Sequence, residues 1–161
     1  MTPARFILDV HLGKLARLLR MTGFDTLYRN DLDDPEIIQI AEEENRIVLT
    51  RDRGILRNKR VKNGHFVESR YAKEQLREII EVFNLKDSIQ FLSRCIACNG
   101  TIAEVSKEDI EQELLPGTMQ YFHEFFKCLD CGKIYWEGSH FDRMMSFYEE
   151  IKNDLGIKQQ T

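Results

Sequence analysis

Apolar residues in the first 90 positions switch between two periods. The stretch 5-RFILDV-10 is a short apolar run that breaks on Asp9, as a buried strand does at its end. Leu12, Leu15, Leu18 and Leu19 then recur at helical spacing with Lys14, Arg17 and Arg20 between them, and Gly23 supplies a stop. A second strand is predicted over 24-FDTLY-28. The polar cluster 30-NDLDD-34 runs into Pro35, and Asp34 as N-cap with proline in the first turn predicts a helix through Ala41 to Glu44. Further strands are predicted at 46-RIVLT-50 and 65-HFVES-69, with one short helix between them. The stretch 72-AKEQLREIIEVF-83 places Leu76, Ile79, Ile80 and Phe83 on one helical face. Strands alternating with helices in this order predict an α/β fold, a parallel sheet with helices packed against it.

Length and composition suit one domain or one domain with a small appendage: 161 residues, 42% hydrophobic and 31% charged. No apolar run approaches the roughly 20 residues that span a bilayer. The N-terminus lacks the basic and apolar regions of a signal peptide, so a cytoplasmic protein without membrane attachment is expected. The net charge of −4 is divided unevenly. Residues 1–90 carry 16 Lys and Arg against 15 Asp and Glu, and residues 91–161 carry 7 against 12. Between 51 and 62 stand Arg51, Arg53, Arg57, Lys59, Arg60 and Lys62 against one acid, Asp52. Local basic density of this kind is either a solvated face or a phosphate-binding surface.

All four cysteines lie in the second part, as 95-CIAC-98 and 128-CLDC-131, with 29 residues between the pairs. Two C-x2-C turns in a cytosolic chain point to one tetrahedral zinc site of four thiolates, Cys95, Cys98, Cys128 and Cys131. A redox pair or two disulfides are the alternatives, but redox chemistry needs one such motif at a strand-helix junction. Gly100 and Gly132 suit the turns, since glycine tolerates positive φ. The gap exceeds the roughly 15–20 residues of the common pattern, so an insertion fills it. A helix is expected over 106-SKEDIEQELLPG-117, capped by Ser106 and ended by Pro116-Gly117. Four protein ligands leave no position for water, so this zinc is structural.

In an open parallel sheet, ligands bind at the carboxyl ends of the strands. Asp9 ends the first strand, Asp52 follows the third, and Asp31, Asp33 and Asp34 lie in the loop after the second. Taken singly, the loop acids fit turn and cap roles, and Asp52 fits a pair with a neighbouring arginine. Asp9 in an apolar strand needs a partner. Carboxylates gathered at one rim repel unless a cation neutralises them, and Mg²⁺ or Mn²⁺ prefers such oxygen ligands. With a basic surround, the site suits phosphodiester cleavage. Lys14, on the first turns of the helix after Asp9, is either solvated or placed to bind the scissile phosphate. Arg17 and Arg20 lie farther along, as residues that track a phosphate backbone do. Tyr135, Trp136, His140 and Phe141 add aromatic surface beside the cysteines, for packing or for stacking unpaired bases.

The strings 5-RFILDVHLGKLARLLRMTGFDTLYRNDLDD-34 and 46-RIVLTRDRGIL-56 resemble the PIN-like ribonuclease domain named after the C-terminal region of the Mut-seven exonuclease. The stretches 94-RCIACNG-100 and 128-CLDCGKIYWEGSHFDRM-144 resemble the zinc ribbon that ends that domain. The resemblance covers residues 5–145. It implies a PIN-like nuclease domain over 1–90, a zinc ribbon with a C-terminal helix over 91–161, and metal-dependent cleavage of RNA. Asp9 matches the first-strand acid of that family and Asp52 the acid after the later strand. The second acid is Asp34 or Glu36, with Asp34 favoured. A fourth group after the next strand would be Glu68 or Ser69, and fewer carboxylates would mean one metal in place of two. RNA contacts are then expected from Arg17, Arg51, Arg53, Arg57, Lys59 and Arg60. Two other functions fit the same residues. One is a non-catalytic RNA-binding zinc module. The other is a toxin-like or processing nuclease active only in a complex, with a protein partner on the acidic second half.

Overall fold

Two-residue alternation decides which layer each strand side chain joins. In the computed structural model, which describes residues 3–157, the strands are β1 (Arg5–Leu8), β2 (Asp25–Leu27), β3 (Ile47–Thr50) and β4 (Gly64–Phe66). They form a parallel sheet in the order β2-β1-β3-β4. Phe6, Leu8 and Leu49 join one core with Leu15 and Leu19 of α1 (Gly13–Met21) and Leu76, Ile79 and Ile80 of α4 (Ala72–Val82). Ile7 and Val48 join a second core with Ile37, Ile38 and Ala41 of α2 (Asp34–Glu44) and Ile55 of α3 (Arg53–Leu56). Helices on both faces explain why the strands read as unbroken apolar runs. Strands β1, β2 and β4 stop one to three residues short of their predicted ends, while β3 ends at Thr50 as predicted, so Asp9 lies just beyond β1.

The N-cap of α2 is Asp33, one residue earlier than expected. Its Oδ1 accepts from Glu36 N at 2.9 Å, and Glu36 Oε1 accepts from Asp33 N at 3.4 Å, a reciprocal capping box. With Pro35 as the second helical residue and lacking an N–H, the first amide a capping carboxylate can reach is that of Glu36. Asp34 is thereby released from capping.

Strands β5 (Ile102–Val105), β6 (Phe125–Cys128) and β7 (Ile134–Tyr135) form an antiparallel sheet in that order. The expected helix over 106–117 does not form. A short 3-10 turn covers Lys107–Ile110, and Pro116 begins α5 (Pro116–Tyr121) where it was expected to end a helix. Proline forces the preceding Leu115 into extended backbone (φ −65°, ψ 143°) and is itself pre-set for a first helical position. Ser106 Oγ donates to the Asp109 carboxylate at 2.8 Å and caps no backbone amide. Ile110, Met119 and Phe125 give this insertion its own small core.

Helix α6 (Ser139–Leu155) returns to the first sheet. Ile151 and Leu155 enter the core formed by α1 and α4, and Lys73 of α4 pairs with Glu150 and Asp154. Met21 and Leu18 of α1 pack in turn against the cysteine-lined core. The two parts of the chain thus share packing on both sides of α1.

Asp25, at the start of the edge strand β2, gathers Arg46 at 2.8 Å, Arg5 at 3.3 Å and the Asn99 amide at 2.8 Å. Burial pushes its carboxyl up, but bonds from Asn99 and Arg46 and the nearby positive charges outweigh that and hold it at about 2. A depressed folded pKa stabilises fully above the unfolded value near 4 and ceases to do so as pH falls toward 2. Asp25→Asn is therefore expected to cost about 2 kcal/mol at neutral pH, read from the urea midpoint. The gap to the wild type should narrow as pH falls through that window. A gap of the same size at every pH would mean that the charge of Asp25 does not matter.

Candidate active site and metal centre

Thr50 joins two of the expected acids. It is the last residue of β3, fully buried, and its Oγ1 donates to Asp9 Oδ2 at 2.5 Å while accepting from Asp52 N at 2.9 Å. Asp9 is 5% exposed, and its carboxylate also accepts from His11 N at 2.8 Å and Arg51 N at 3.4 Å. Asp52 is exposed, caps α3 and accepts from Gly54 N at 2.8 Å. Asp34 stands on the first turn of α2, within reach of the charge of both. Burial raises its carboxyl above the ordinary range, and the negative charges of Asp52 and Asp9 raise it further. The Glu36 carboxylate is turned back into the capping box, so the structure brings Asp34 to the rim with Asp9 and Asp52. The role of Thr50 was missed in the sequence. Its one signal is a hydroxyl residue closing an apolar run two positions before an acid.

The basic residues separate into occupied and open groups. The Arg51 guanidinium donates to the carbonyls of Val67, Glu68 and Ser69 at 2.5, 2.9 and 3.0 Å. It fastens the turn after β4. Arg53 lies over the Phe66 ring at 3.9 Å. Arg60 pairs with Glu42 at 3.2 Å. Lys14, Arg17, Arg57 and Lys59 are exposed and form no side-chain hydrogen bond or ion pair among the described residues. Arg20, expected to track phosphates, is instead 5% exposed and donates to Thr26, Tyr28, Ile96 and Ala97 carbonyls at 3.0 to 3.3 Å. Glu68 and Ser69 donate their backbone amides to Glu78 of α4, which also holds His65 at 2.6 Å. Glu78 sits on the polar face of an amphipathic helix, where hydrophobic periodicity carries no signal for it.

The sulfurs of Cys95, Cys98, Cys128 and Cys131 lie within 4.8 Å of one another. Separations of 3.7 Å (Cys95 to Cys131) and 3.4 Å (Cys98 to Cys128) match the edge of about 3.8 Å implied by tetrahedral zinc–sulfur bonds of about 2.3 Å. The four thiolates fit a metal ion such as zinc. Among the described residues the four cysteines are the one group of His, Cys, Asp and Glu side chains close enough together to hold a metal ion; Asp34 feels the charge of Asp9 and Asp52, but the three do not close into such a group. Burial pushes the Cys95 thiol up, but bonds from Tyr135 and the backbone amides of Cys98 and Ala97 lower it to about 7. Cys98 is pushed up to about 12 by burial and by its neighbouring sulfurs. Without a cation, one thiolate discourages the next. Backbone N–H groups of Gly100, Asp130 and Cys131 point at the sulfurs at 3.3 to 3.4 Å.

Glycine serves the two knuckles differently. Gly132 has φ +82°, as expected, but in the first knuckle the positive φ (75°) falls on Asn99. Gly100 is there for space: a Cβ would meet Asp130 Oδ2 at 2.5 Å and Cys128 Sγ at 2.7 Å.

A family model described as the Mut7-C RNAse domain matches residues 4–148. The chain belongs to the Mut7-C RNAse domain family. Ribonuclease-like function follows at that level. The matched span of the Mut7-C RNAse domain takes in the carboxylate rim, the basic stretch after β3 and all four cysteines. No curated protein and no solved structure matches the chain. No helix among the described residues is long and apolar enough to cross a membrane.

Within this Mut7-C RNAse domain the first knuckle is docked on the open edge of the parallel sheet. Asn99 Oδ1 accepts from Thr26 N at 2.9 Å, and Asn99 Nδ2 donates to Asp25. The amide side chain thus continues the hydrogen bonding of β2 where no further strand among the described residues pairs with it. Arg20 draws the carbonyls of both parts together from inside.

Proposed function

We propose that this chain is a metal-dependent ribonuclease that cleaves RNA phosphodiester bonds at the rim formed by Asp9, Asp34 and Asp52. The observation that carries this is the Thr50 hydroxyl, bonded at once to the Asp9 carboxylate and the Asp52 amide, with Asp34 feeling the charge of both acids. Buried polar groups are placed this carefully when their orientation matters. The three carboxylates would hold Mg²⁺ or Mn²⁺, which supplies an activated water and offsets phosphate charge in an in-line displacement. Thr50 fixes the Asp9 carboxylate before substrate arrives. Arg53, steadied on Phe66, and Lys14, on the first turn of α1, offer positive charge to the phosphate. Arg57 and Lys59 extend that field along the RNA backbone. Arg51 serves the site through the turn it holds. The ribbon's metal is structural, and the ribbon supports RNA binding.

The test is cleavage of single-stranded and structured RNA by the zinc-loaded protein with Mg²⁺, with Mn²⁺ and with neither. Cleavage that requires the added cation is expected. Cation-independent cleavage, or none under any condition with RNA still bound, would overturn the proposal, the second result favouring a binding module.

A further inference from the structure

Two small cavities open beside the ribbon and share a wall of Tyr135, Trp136 and Phe141. The first, of about 210 Å³, is closed by Phe91, Ile102 and Phe126, and the second, of about 240 Å³, by Lys133, His140 and Met144. Both fall below the roughly 300–1,000 Å³ of sites for larger ligands, and their walls are mostly carbon. One flat ring suits them better than a whole cofactor.

The aromatic groups there are not equivalent. Tyr135 is buried, and its hydroxyl is taken by Cys95 Sγ at 3.0 Å and Ile96 N at 3.2 Å. It belongs to the metal centre. Trp136 and Phe141 are half-buried and keep ring surface toward the cavities. Phe125 backs the indole at 6.5 Å, and Phe91 meets Phe141 edge-on at 5.9 Å. Bare backbone at Gly138 lets the indole lie close, since a Cβ there would come within 2.8 Å of Trp136 Nε1. That indole N–H has no hydrogen-bond partner among the described residues.

Charge around the cleft runs against the acidic balance of residues 91–161. Lys133 and His140 line the second cavity. Burial first, and then the positive charges of Lys133, Arg143 and Arg17, hold the His140 imidazole below its ordinary pKa. Arg17, Lys133 and Arg143 are exposed and form no ion pair among the described residues. Glu137 borders the first cavity and Asp142 precedes Arg143, so the positive side is that of the second cavity. Arg17 also shares a face of α1 with Lys14, one turn nearer the carboxylate rim.

We propose that this cleft takes an unpaired nucleobase of single-stranded RNA against Trp136 and Phe141, while Lys133, Arg143 and Arg17 hold the flanking phosphates. Bases stack on aromatic faces only when unpaired, and a cationic border selects a phosphate-linked ring over an apolar peptide side chain. The strand would then run along Arg17 and Lys14 to the rim, a course that rests on the ribonuclease function proposed above.

Trp136 is the only tryptophan in the chain, so its fluorescence reports on the cleft directly. The experiment titrates zinc-loaded protein, without Mg²⁺ or Mn²⁺, with a short oligouridylate, an abasic ribose-phosphate strand of equal length, and a hairpin duplex. Quenching by oligouridylate is expected, with affinity on the order of tenfold above the abasic strand, and with little competition from the duplex. A Lys133→Ala/Arg143→Ala protein should show a salt slope flatter by about 1.4. Equal affinity for the abasic strand, equal competition by the duplex, or an unchanged slope would overturn the proposal. Quenching without metal-dependent cleavage would sink the ribonuclease function and leave the cleft standing. Cleavage without quenching would do the reverse.

Discussion

Asp9→Asn is expected to lower metal-dependent RNA cleavage on the order of 10³-fold while leaving the protein folded. The substitution keeps the shape of the side chain. Its remaining oxygen can still accept from His11 N, the bond that shapes the turn after β1. What disappears is one negative charge at a rim where Asp34 already feels both neighbours. Before any cation binds, that loss relieves repulsion and offsets the Oδ2 acceptor that the Thr50 hydroxyl and the Arg51 amide lose, so the thermal midpoint should change little. After the loss, Mn²⁺ affinity should fall, because an amide oxygen is a weaker ligand than a carboxylate. Calorimetric titration with Mn²⁺ and single-turnover cleavage would separate binding from chemistry. A structural role for Asp9 predicts the opposite pair of results, lower stability with cleavage largely kept. A folded Asp9→Asn protein with wild-type Mn²⁺ affinity and rate would remove Asp9 from the site. Asp52→Asn tests the same point from the exposed side of Thr50 and should behave alike.

The elements that position this rim were legible because they are buried on both faces. Phe6 to Leu8, Val48 and Leu49 have no solvated side, and nothing but a central strand explains such runs between helical repeats. Polar roles were harder to read, since a charged side chain looks the same in sequence whether its partner is water, RNA or a carbonyl. Arg20 and Arg17 are three residues apart on one helix, yet one is buried among four carbonyls and the other is exposed and unpaired. Arg51 and Arg53 flank the same acid, yet Arg51 is spent on three carbonyls and Arg53 lies on the Phe66 ring. The local rules failed where one proline shifted a boundary. Pro35 moved the α2 cap to Asp33 and freed Asp34, and Pro116 opened a helix it was expected to close. Asn99 was invisible for a different cause. Its work is to cap the edge of a strand 73 residues earlier, a pairing that no periodicity marks.

That pairing sets the outcome expected when the metal centre is lost. Cys128→Ser should release about one zinc per chain and unfold residues 91–135, because structural zinc sites supply roughly 10–16 kcal/mol in small domains. The core the knuckles share is small, Cys95, Ile96, Cys128 and Tyr135 with Met21 and Met144. Cys95 and Cys128 are buried against each other's loops, and Gly100 passes so close to Cys128 that the two halves of the site cannot separate without opening the core around Met21 and Met144. The first sheet keeps its own two cores and should survive. Its edge should not survive unchanged. With the first knuckle gone, Thr26 N loses Asn99 Oδ1, Arg20 loses the Ile96 and Ala97 carbonyls, and Asp25 loses the Asn99 amide. Hydrogen exchange should therefore quicken at Thr26, while Ile7 and Val48 in the middle of the sheet stay protected. Metal analysis gives the first check and exchange rates the second. Intact folding of the Cys128→Ser protein would show that the thiolates hold no structural ion. A Thr26 amide as slow in the metal-free protein as in the loaded one would show that the ribbon and the sheet edge are independent.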